Sequence, residues 1–283
     1  MKVIDQALLE KVIIERSRHS HKGDYGRLLL LGGTYPYGGA IIMSAIAAVK
    51  SGAGLVTVGT DKENISALHS HLPEAMAFSL QDQQLLKEQL EKAEVVLLGP
   101  GLREDAFGEE LVKRVFDSLR KDQILIADGG ALGILAKAHL TFPSSQLILT
   151  PHQKEWERLS GIVLDHQNTE TTARALSAFP QETILIEKGP ATRIWQAGQS
   201  EYYQLQVGGP YQATGGMGDT LAGMIAGFAG QFHQVSLYER VVVATHLHSA
   251  IAQELAQENY LVLPTEISKA LPKTMKKISQ KGS

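Results

Sequence analysis

Short apolar runs alternate along the chain with longer stretches in which apolar residues recur every three or four positions. Arg27–Leu31, Leu55–Val58, Val95–Leu98, Ile124–Ala127, Leu147–Leu149 and Ile184–Ile186 are rich in Leu, Ile and Val. They carry no polar alternation, so they read as strands buried on both faces. Between them, Gly39–Ser51, Asn64–His71, Gln83–Lys92, Phe107–Arg120, Ala131–Lys137, Gln153–Ser160 and Thr169–Ala178 have helical spacing. Buried strands separated by amphipathic helices predict an α/β fold, with a central, mostly parallel sheet covered by helices on both faces.

The pattern changes after Lys188. Ala191–Ala197 and Ser200–Val207, joined around Gly198, read as a small antiparallel hairpin carrying Trp195, Tyr202 and Tyr203. From Thr220 onward the expected elements are all helical: Leu221–Gly230, Leu237–Gln257, and Thr265–Ile278 interrupted by Pro272. No linker, repeat or low-complexity segment divides the chain, so residues 1–283 are expected to form a single domain.

Composition removes several classes of function. Hydrophobic residues make up 43% and charged residues 20%, which suits a folded domain with a sizeable core. Lys and Arg number 27 against 30 Asp and Glu, a formal charge of −3, so no whole-molecule field attracts nucleic acid or an anionic membrane. There is no cysteine, which excludes disulfides, thiolate nucleophiles and cysteine-ligated zinc. The first 22 residues are broken by charges and hold no signal-peptide apolar core. Ala40–Val49 and Leu221–Gly230 are well short of the roughly 20 residues a membrane helix needs. A cytoplasmic location is the expectation.

In an open parallel sheet, ligands sit at the carboxyl ends of the strands. Gly32-Gly33, Gly99-Pro100-Gly101, Asp128, Thr150-Pro151-His152 and Lys188-Gly189 all follow predicted strands. The sharpest element is Ala213-Thr214-Gly215-Gly216-Met217-Gly218-Asp219, which runs straight into a helix. Closely spaced glycines let backbone N–H groups converge, and the helix N-terminus adds positive potential, a combination that holds phosphate oxygens. A carboxylate at Asp219 repels a static phosphate but suits a base that accepts a hydroxyl proton beside a transferring phosphoryl group. The other reading is a tight turn in which Asp219 caps the helix. On position alone, the glycine loop and helix start predict a lowered pKa for Asp219. His246 and His248, two apart on a helix, point in different directions and read as structural.

The segment Pro210–Asp219 closely resembles the signature of NAD(P)H-hydrate dehydratases, in the ribokinase-like superfamily. His21–Arg27, Gly38-Gly39-Ala40, Gly52–Val56, Gly99–Leu102, Leu149–His152 with Glu155, and Lys188–Thr192 resemble further motifs of that family in the same order. The resemblance implies dehydration of the S form of NADH or NADPH hydrate, driven by ADP or ATP with Mg²⁺. It implies Asp219 as the catalytic base and Ala40, Gly101, His152 and Asp219 as substrate contacts. It places the nucleotide against Lys188, Gly189, Pro190, Ala191, Thr192 and Gly218, with no direct metal ligand and Glu155 acting on Mg²⁺ through water. A homotetramer and a functional link to a separate NAD(P)H-hydrate epimerase are also implied. Three positions depart from the family pattern. Asp128-Gly129-Gly130 lacks a second carboxylate, Gly209 stands in place of Asn, and Gln153-Lys154 follows His152 in place of Pro-Gly. The competing enzyme is a vitamin-precursor kinase of the same superfamily; a non-catalytic dinucleotide-binding module lacks its Gly-x-Gly-x-x-Gly loop.

Overall fold

A computed structural model describes residues 1–138, 142–143 and 145–281. Among the described residues, nine strands form one sheet: β1 (Arg27–Leu31), β2 (Leu55–Thr60), β3 (Met76–Ser79), β4 (Val95–Leu98), β5 (Ile124–Ala127), β6 (Gln146–Leu149), β7 (Ile184–Glu187), β8 (Arg193–Gln196) and β9 (Tyr203–Gln204). Their order is β3-β2-β1-β4-β5-β6-β7-β8-β9. The first seven are parallel, and β8 and β9 close one edge as an antiparallel pair. The strand order reverses between β1 and β4, which makes their carboxyl ends the switch point where a crevice opens.

Around the sheet lie α1 (Gln6–Val12), α2 (Gly38–Lys50), α3 (Lys62–His71), α4 (Gln83–Lys92), α5 (Ala106–Ser118), α6 (Gly130–Lys137), α7 (Gln153–Ser160), α8 (Thr169–Leu176), α9 (Met217–Ala229), α10 (Leu237–Leu255) and α11 (Pro264–Ser279). Because side chains alternate along a strand, each central strand serves two cores. Leu28, Leu30, Val95, Leu97, Ile124 and Ile126 pack with residues of α2, α9, α10 and α11. Leu29, Leu31, Val96, Leu98, Leu125 and Ala127 pack with residues of α4 to α8. This double burial is why the strands have no polar alternation.

The helices that carry the glycine loop are held by close backbone approach. A Cβ on Gly223 of α9 would fall 2.1 Å from the Ser44 carbonyl oxygen of α2, so only glycine permits this crossing. Ser44 Oγ in turn donates to the Asp219 carbonyl oxygen at 2.9 Å, tying α2 to the first turn of α9.

Some elements differ from the sequence expectation. β3 and α1 were not expected. The hairpin strands are shorter than Ala191–Ala197 and Ser200–Val207, and the chain outside them turns toward a cavity. α11 continues through Pro272. Proline in a helix interior costs about 3 kcal/mol, and burial of Ile267, Leu271 and Ile278 on the same helix offsets it. Helix α9 begins at Met217, ahead of the expected Leu221, which changes the placement of Asp219.

Candidate active site

At the switch point, the loops after β1 and β4 are stitched together. The Gly33 N–H donates to the Pro100 carbonyl at 2.8 Å and the Thr34 N–H to the Gly101 carbonyl at 2.9 Å. Gly101 has φ +64°, and a Cβ there would lie 3.0 Å from the Ala40 Cβ. Ala40, near the start of α2, and Gly101 therefore lie side by side at the switch point.

The glycine loop enters α9 through Gly216, the N-cap residue, at φ +93°. No side chain caps this helix. Asp219 is the third helical residue, so the reading of Asp219 as a cap is incorrect; its carboxylate is hydrogen-bonded to its own backbone N–H. Gly218 keeps the first turn open on one side: a Cβ there would meet Lys188 Nζ at 3.1 Å. The lysine thus reaches from the end of β7 to the N-terminus of α9.

Lys188 is fixed by a carboxylate. Its Nζ lies 2.9 Å from Asp128 Oδ1, with side-chain exposures of 19% and 4%. Thr150 Oγ1 donates to the same oxygen at 2.6 Å. Burial alone would lower the lysine's pKa, but Asp128, Glu155 and Asp219 together hold it above its ordinary value. The ammonium is charged, and most of its hydration has been replaced by protein groups.

Asp219 itself is pushed up to about 6, by burial first and by Asp128 second, against the opposing Lys188 charge. The expected lowering is overturned. The hydrogen bond from its own backbone N–H acts on this side chain less than the loss of water and the second carboxylate do. It remains mostly ionised at pH 7 and is a better base than an exposed aspartate.

His152 and Glu155 form a reciprocal cap on α7. His152 Nδ1 accepts from the backbone N–H groups of Lys154 and Glu155 at 3.1 and 3.2 Å, and Glu155 Oε2 accepts from the His152 N–H at 2.7 Å. With Nδ1 an acceptor, the neutral ring carries its proton on Nε2. That nitrogen lies 3.5 Å from Glu155 Oε1, so the proton faces the same carboxylate that caps the helix. Burial and the Lys188 charge lower the His152 pKa, which keeps the ring neutral. Burial raises the pKa of Glu155.

Beside the Asp128–Lys188 pair lies a cavity of about 610 Å³, lined by Lys188, Gly189, Pro190, Thr192, Leu205, Val207, Gly209, Met217, Gly218, Leu221 and His248, among others. Of the expected nucleotide contacts, Ala191 alone is absent from this lining. It faces an adjoining recess of about 260 Å³ with Gln153 and Arg193. The Thr192 hydroxyl closes the loop on itself, donating to the Gly189 carbonyl at 3.1 Å and accepting from its N–H at 3.3 Å. Among the described residues, no cluster of three His, Cys, Asp or Glu side chains could hold a metal ion, and no helix is long and apolar enough to cross a membrane. Two residues given no site role from sequence stand in the site. Asp128 anchors Lys188, and His248, read as structural, lines the cavity. The Asp128 signal was its place at a strand end; His248 had none, because only the packing of α10 aims it inward.

The family described as NAD(P)H-hydrate dehydratase matches residues 28–273 of the chain. A Streptococcus pneumoniae protein named ADP-dependent (S)-NAD(P)H-hydrate dehydratase is 81% identical over 280 residues, 99% of this chain and 97% of the relative. The chain belongs to the NAD(P)H-hydrate dehydratase family. Among solved structures, an Enterococcus faecalis ribokinase-like superfamily protein is 42% identical, with TM-score 0.93, covering 99% of this chain and 96% of that one. A Bacillus subtilis ADP/ATP-dependent NAD(P)H-hydrate dehydratase, co-crystallised with ATP and Mg²⁺, is 27% identical with TM-score 0.83, covering 97% of each chain. The fold of this NAD(P)H-hydrate dehydratase family member is therefore ribokinase-like, as the motif order implied. The structure also accounts for one departure from the family pattern. A Cβ on Gly130 would fall 1.8 Å from the Leu102 carbonyl oxygen, so the loop after β4 occupies the space a second carboxylate would need.

Proposed function

We propose that this chain uses ADP or ATP to dehydrate the S form of NADH or NADPH hydrate. The single observation that carries the reading is Lys188, held by Asp128 beside Gly218 at the open N-terminus of α9, with Asp219 in the same turn. A fixed cation, a helix terminus and a base with pKa near 6 are what a phosphoryl transfer to a hydroxyl requires.

The substrate bears a hydroxyl on carbon 6 of the reduced nicotinamide ring. Its oxygen attacks the terminal phosphorus, its proton passes to the Asp219 carboxylate, and the bond to the leaving AMP or ADP breaks. Lys188 and the N–H groups of the α9 terminus stabilise the charge that grows on the transferring oxygens. The ring nitrogen lone pair then expels phosphate from carbon 6, and the departing phosphate takes the carbon 5 proton of the iminium so formed, restoring the ring double bond. The dinucleotide lies along Ala40, Gly101 and His152, whose side chain is 55% exposed. The adenine nucleotide fills the cavity with Lys188, Gly189, Pro190, Thr192 and Gly218 against it; Ala191 bounds the loop from the neighbouring recess.

Mg²⁺ fits the carboxylates at this site, because it keeps most of its waters and is bound by one or two carboxylates plus phosphate oxygens. Glu155, 12% exposed at its side chain and close to Lys188 and Asp128, would hold such an ion through water. Bound there, Mg²⁺ would neutralise polyphosphate charge. The whole chain acts as one domain in the cytoplasm, as a homotetramer working alongside a separate epimerase. The test is incubation of the purified protein with hydrated NADH, Mg²⁺ and each nucleotide, following recovery of NADH absorbance. One AMP or ADP and one phosphate should appear per cofactor restored. NADH recovered without nucleotide consumption would defeat the mechanism, and a stable phosphorylated product would favour the kinase reading.

A further inference from the structure

Thr150 directly follows β6 and is fully buried. Its hydroxyl lies within reach of two acceptors, Asp128 Oδ1 at 2.6 Å and the Ala127 carbonyl at 3.3 Å. A hydroxyl has one proton to donate, and the charged acceptor at the shorter distance takes it. The Ala127 carbonyl already accepts from the Thr150 N–H at 3.2 Å. A residue that only filled this space would be better as valine, which has nearly the same shape and no polar group to bury. The hydroxyl is therefore directed to Asp128.

Asp128 Oδ1 takes two donors, Thr150 Oγ1 from the end of β6 and Lys188 Nζ, at 2.9 Å, from the end of β7. Among the described residues, these are the two hydrogen bonds to the carboxylate. The same short segment also holds the lysine backbone. The Lys188 N–H donates to the Pro151 carbonyl at 2.9 Å, which continues the β6–β7 pairing past both strand ends. Residues 150 and 151 thus grip Lys188 twice, at its backbone and, through Asp128, at its ammonium. The charges that face Asp219 are Asp128 and Lys188, and Glu155 of α7 acts in turn on Lys188. Asp128 raises the Asp219 pKa and Lys188 opposes it, so where the Asp128 carboxylate points matters to the base as well as to the cation.

We infer that Thr150 is a positioning residue for phosphoryl transfer, its hydroxyl holding the Asp128 carboxylate in the orientation that fixes Lys188 beside Gly218. This rests on the proposed reading of Lys188 as the cation on the transferring phosphate and of Asp219 as the base.

Thr150→Val keeps the shape and removes the donor. The carboxylate can then turn about its remaining contact, Lys188 is no longer fixed, and the repulsion on Asp219 weakens. The kcat for hydrated NADH should fall about tenfold, the worth of one hydrogen bond to a charged group. Its KM should hold, because the dinucleotide contacts stay in place. The acid limb of kcat/KM, expected near the Asp219 pKa of about 6, should move to lower pH. Thr150→Ser keeps the hydroxyl and should restore both kcat and the limb. A valine variant that is less stable but keeps the wild-type kcat and limb would reduce Thr150 to a structural residue and overturn the inference. A serine variant as slow as the valine one would also overturn it, by assigning the effect to the lost methyl group. Thr150→Cys, whose thiol is a weak donor, gives the same readings if the valine variant does not fold: a slowed kcat with a shifted limb supports the inference, and wild-type values overturn it. Two wild-type controls isolate the underlying reading. A flat profile from about pH 5 to 8 would remove Asp219 as the base, and a kcat unaffected by Lys188→Met would remove the cation; either takes the inference with it. With both in place and Thr150→Val without effect, the inference alone fails.

Discussion

Asp219→Asn isolates the proposed base, because Asn keeps the size and removes the charge. The wild-type carboxyl is lifted from the ordinary 3.8 to about 6. At about 1.36 kcal/mol per pH unit, the ionised form opposes folding at pH 7 by at most about 3 kcal/mol. The sign follows from the raised pKa. The penalty is complete above the folded value, fades as pH falls from about 6 toward 3.8, and is absent below that. The Asn variant should therefore be more stable than wild type by up to about 3 kcal/mol at pH 7, by about half as much at pH 5, and by nothing near pH 3.5. Urea unfolding at the three pH values reads this directly. Turnover should meanwhile drop by about 10² to 10⁴, the range for loss of a positioned general base, although nucleotide binding should tighten as a negative charge beside the phosphates is removed. Equal stability at pH 7, combined with more than about a tenth of wild-type turnover, would refute both the burial argument and the assignment of Asp219 as base.

Three further outcomes follow from the same geometry. The kcat/KM of the wild type should fall as pH drops through about 6, because protonated Asp219 cannot accept the hydroxyl proton; a flat profile from pH 5 to 8 would contradict this. Asp128→Asn removes a charge that raises the Asp219 pKa, so the acid limb should move to lower pH, while stability falls by about 3 kcal/mol as Lys188 is left buried without its counter-charge. A limb that stays put, with stability unchanged, would mean the Asp128–Lys188 pair is not coupled to the base. Ala40→Phe should fill the space facing Gly101 and raise the KM for hydrated NADH at least tenfold, with ADP affinity constant by calorimetry; equal loss for both ligands would contradict the division of the crevice.

The central strands were readable because burial on both faces leaves no polar position to confuse the pattern. β3 was missed for the opposite reason. It is an edge strand in which Phe78 alone of Met76–Ser79 is buried, so its four residues carry no run. α1 had a signal, Asp5 capping the helix by accepting from the Leu8 N–H at 2.9 Å, with Leu9 and Val12 buried three apart. The glycine loop was legible since its geometry is local: consecutive glycines let Gly216 take φ +93° as the N-cap of α9. The protonation of Asp219 was not. It depends on how much water the folded chain removes and on Asp128, far away in sequence, and neither is written near the motif. The same holds for His248, whose direction is set by the rotation of α10 against α9.

On the proposed chemistry, the phosphate-handling half of the site says nothing about whether the product survives. Lys188, Gly218 and Asp219 serve a kinase equally well, since the transfer step ends once oxygen is bonded to phosphorus. Elimination is a property of the substrate: the new phosphate ester sits on a carbon bonded to the ring nitrogen, whose lone pair expels it without a further catalytic group. The protein's contribution to dehydration is therefore selection of that substrate. This places the proposed distinction at the opposite wall, where Ala40 and Gly101 leave no room for bulk and His152 is held as a neutral ring between the first N–H groups of α7 and the Glu155 carboxylate. A protonated imidazole there would add a second positive charge close to Lys188, and the lowered pKa disfavours it. In the proposed site, a neutral His152 bounds the reduced ring without drawing electron density away from the nitrogen that must release phosphate.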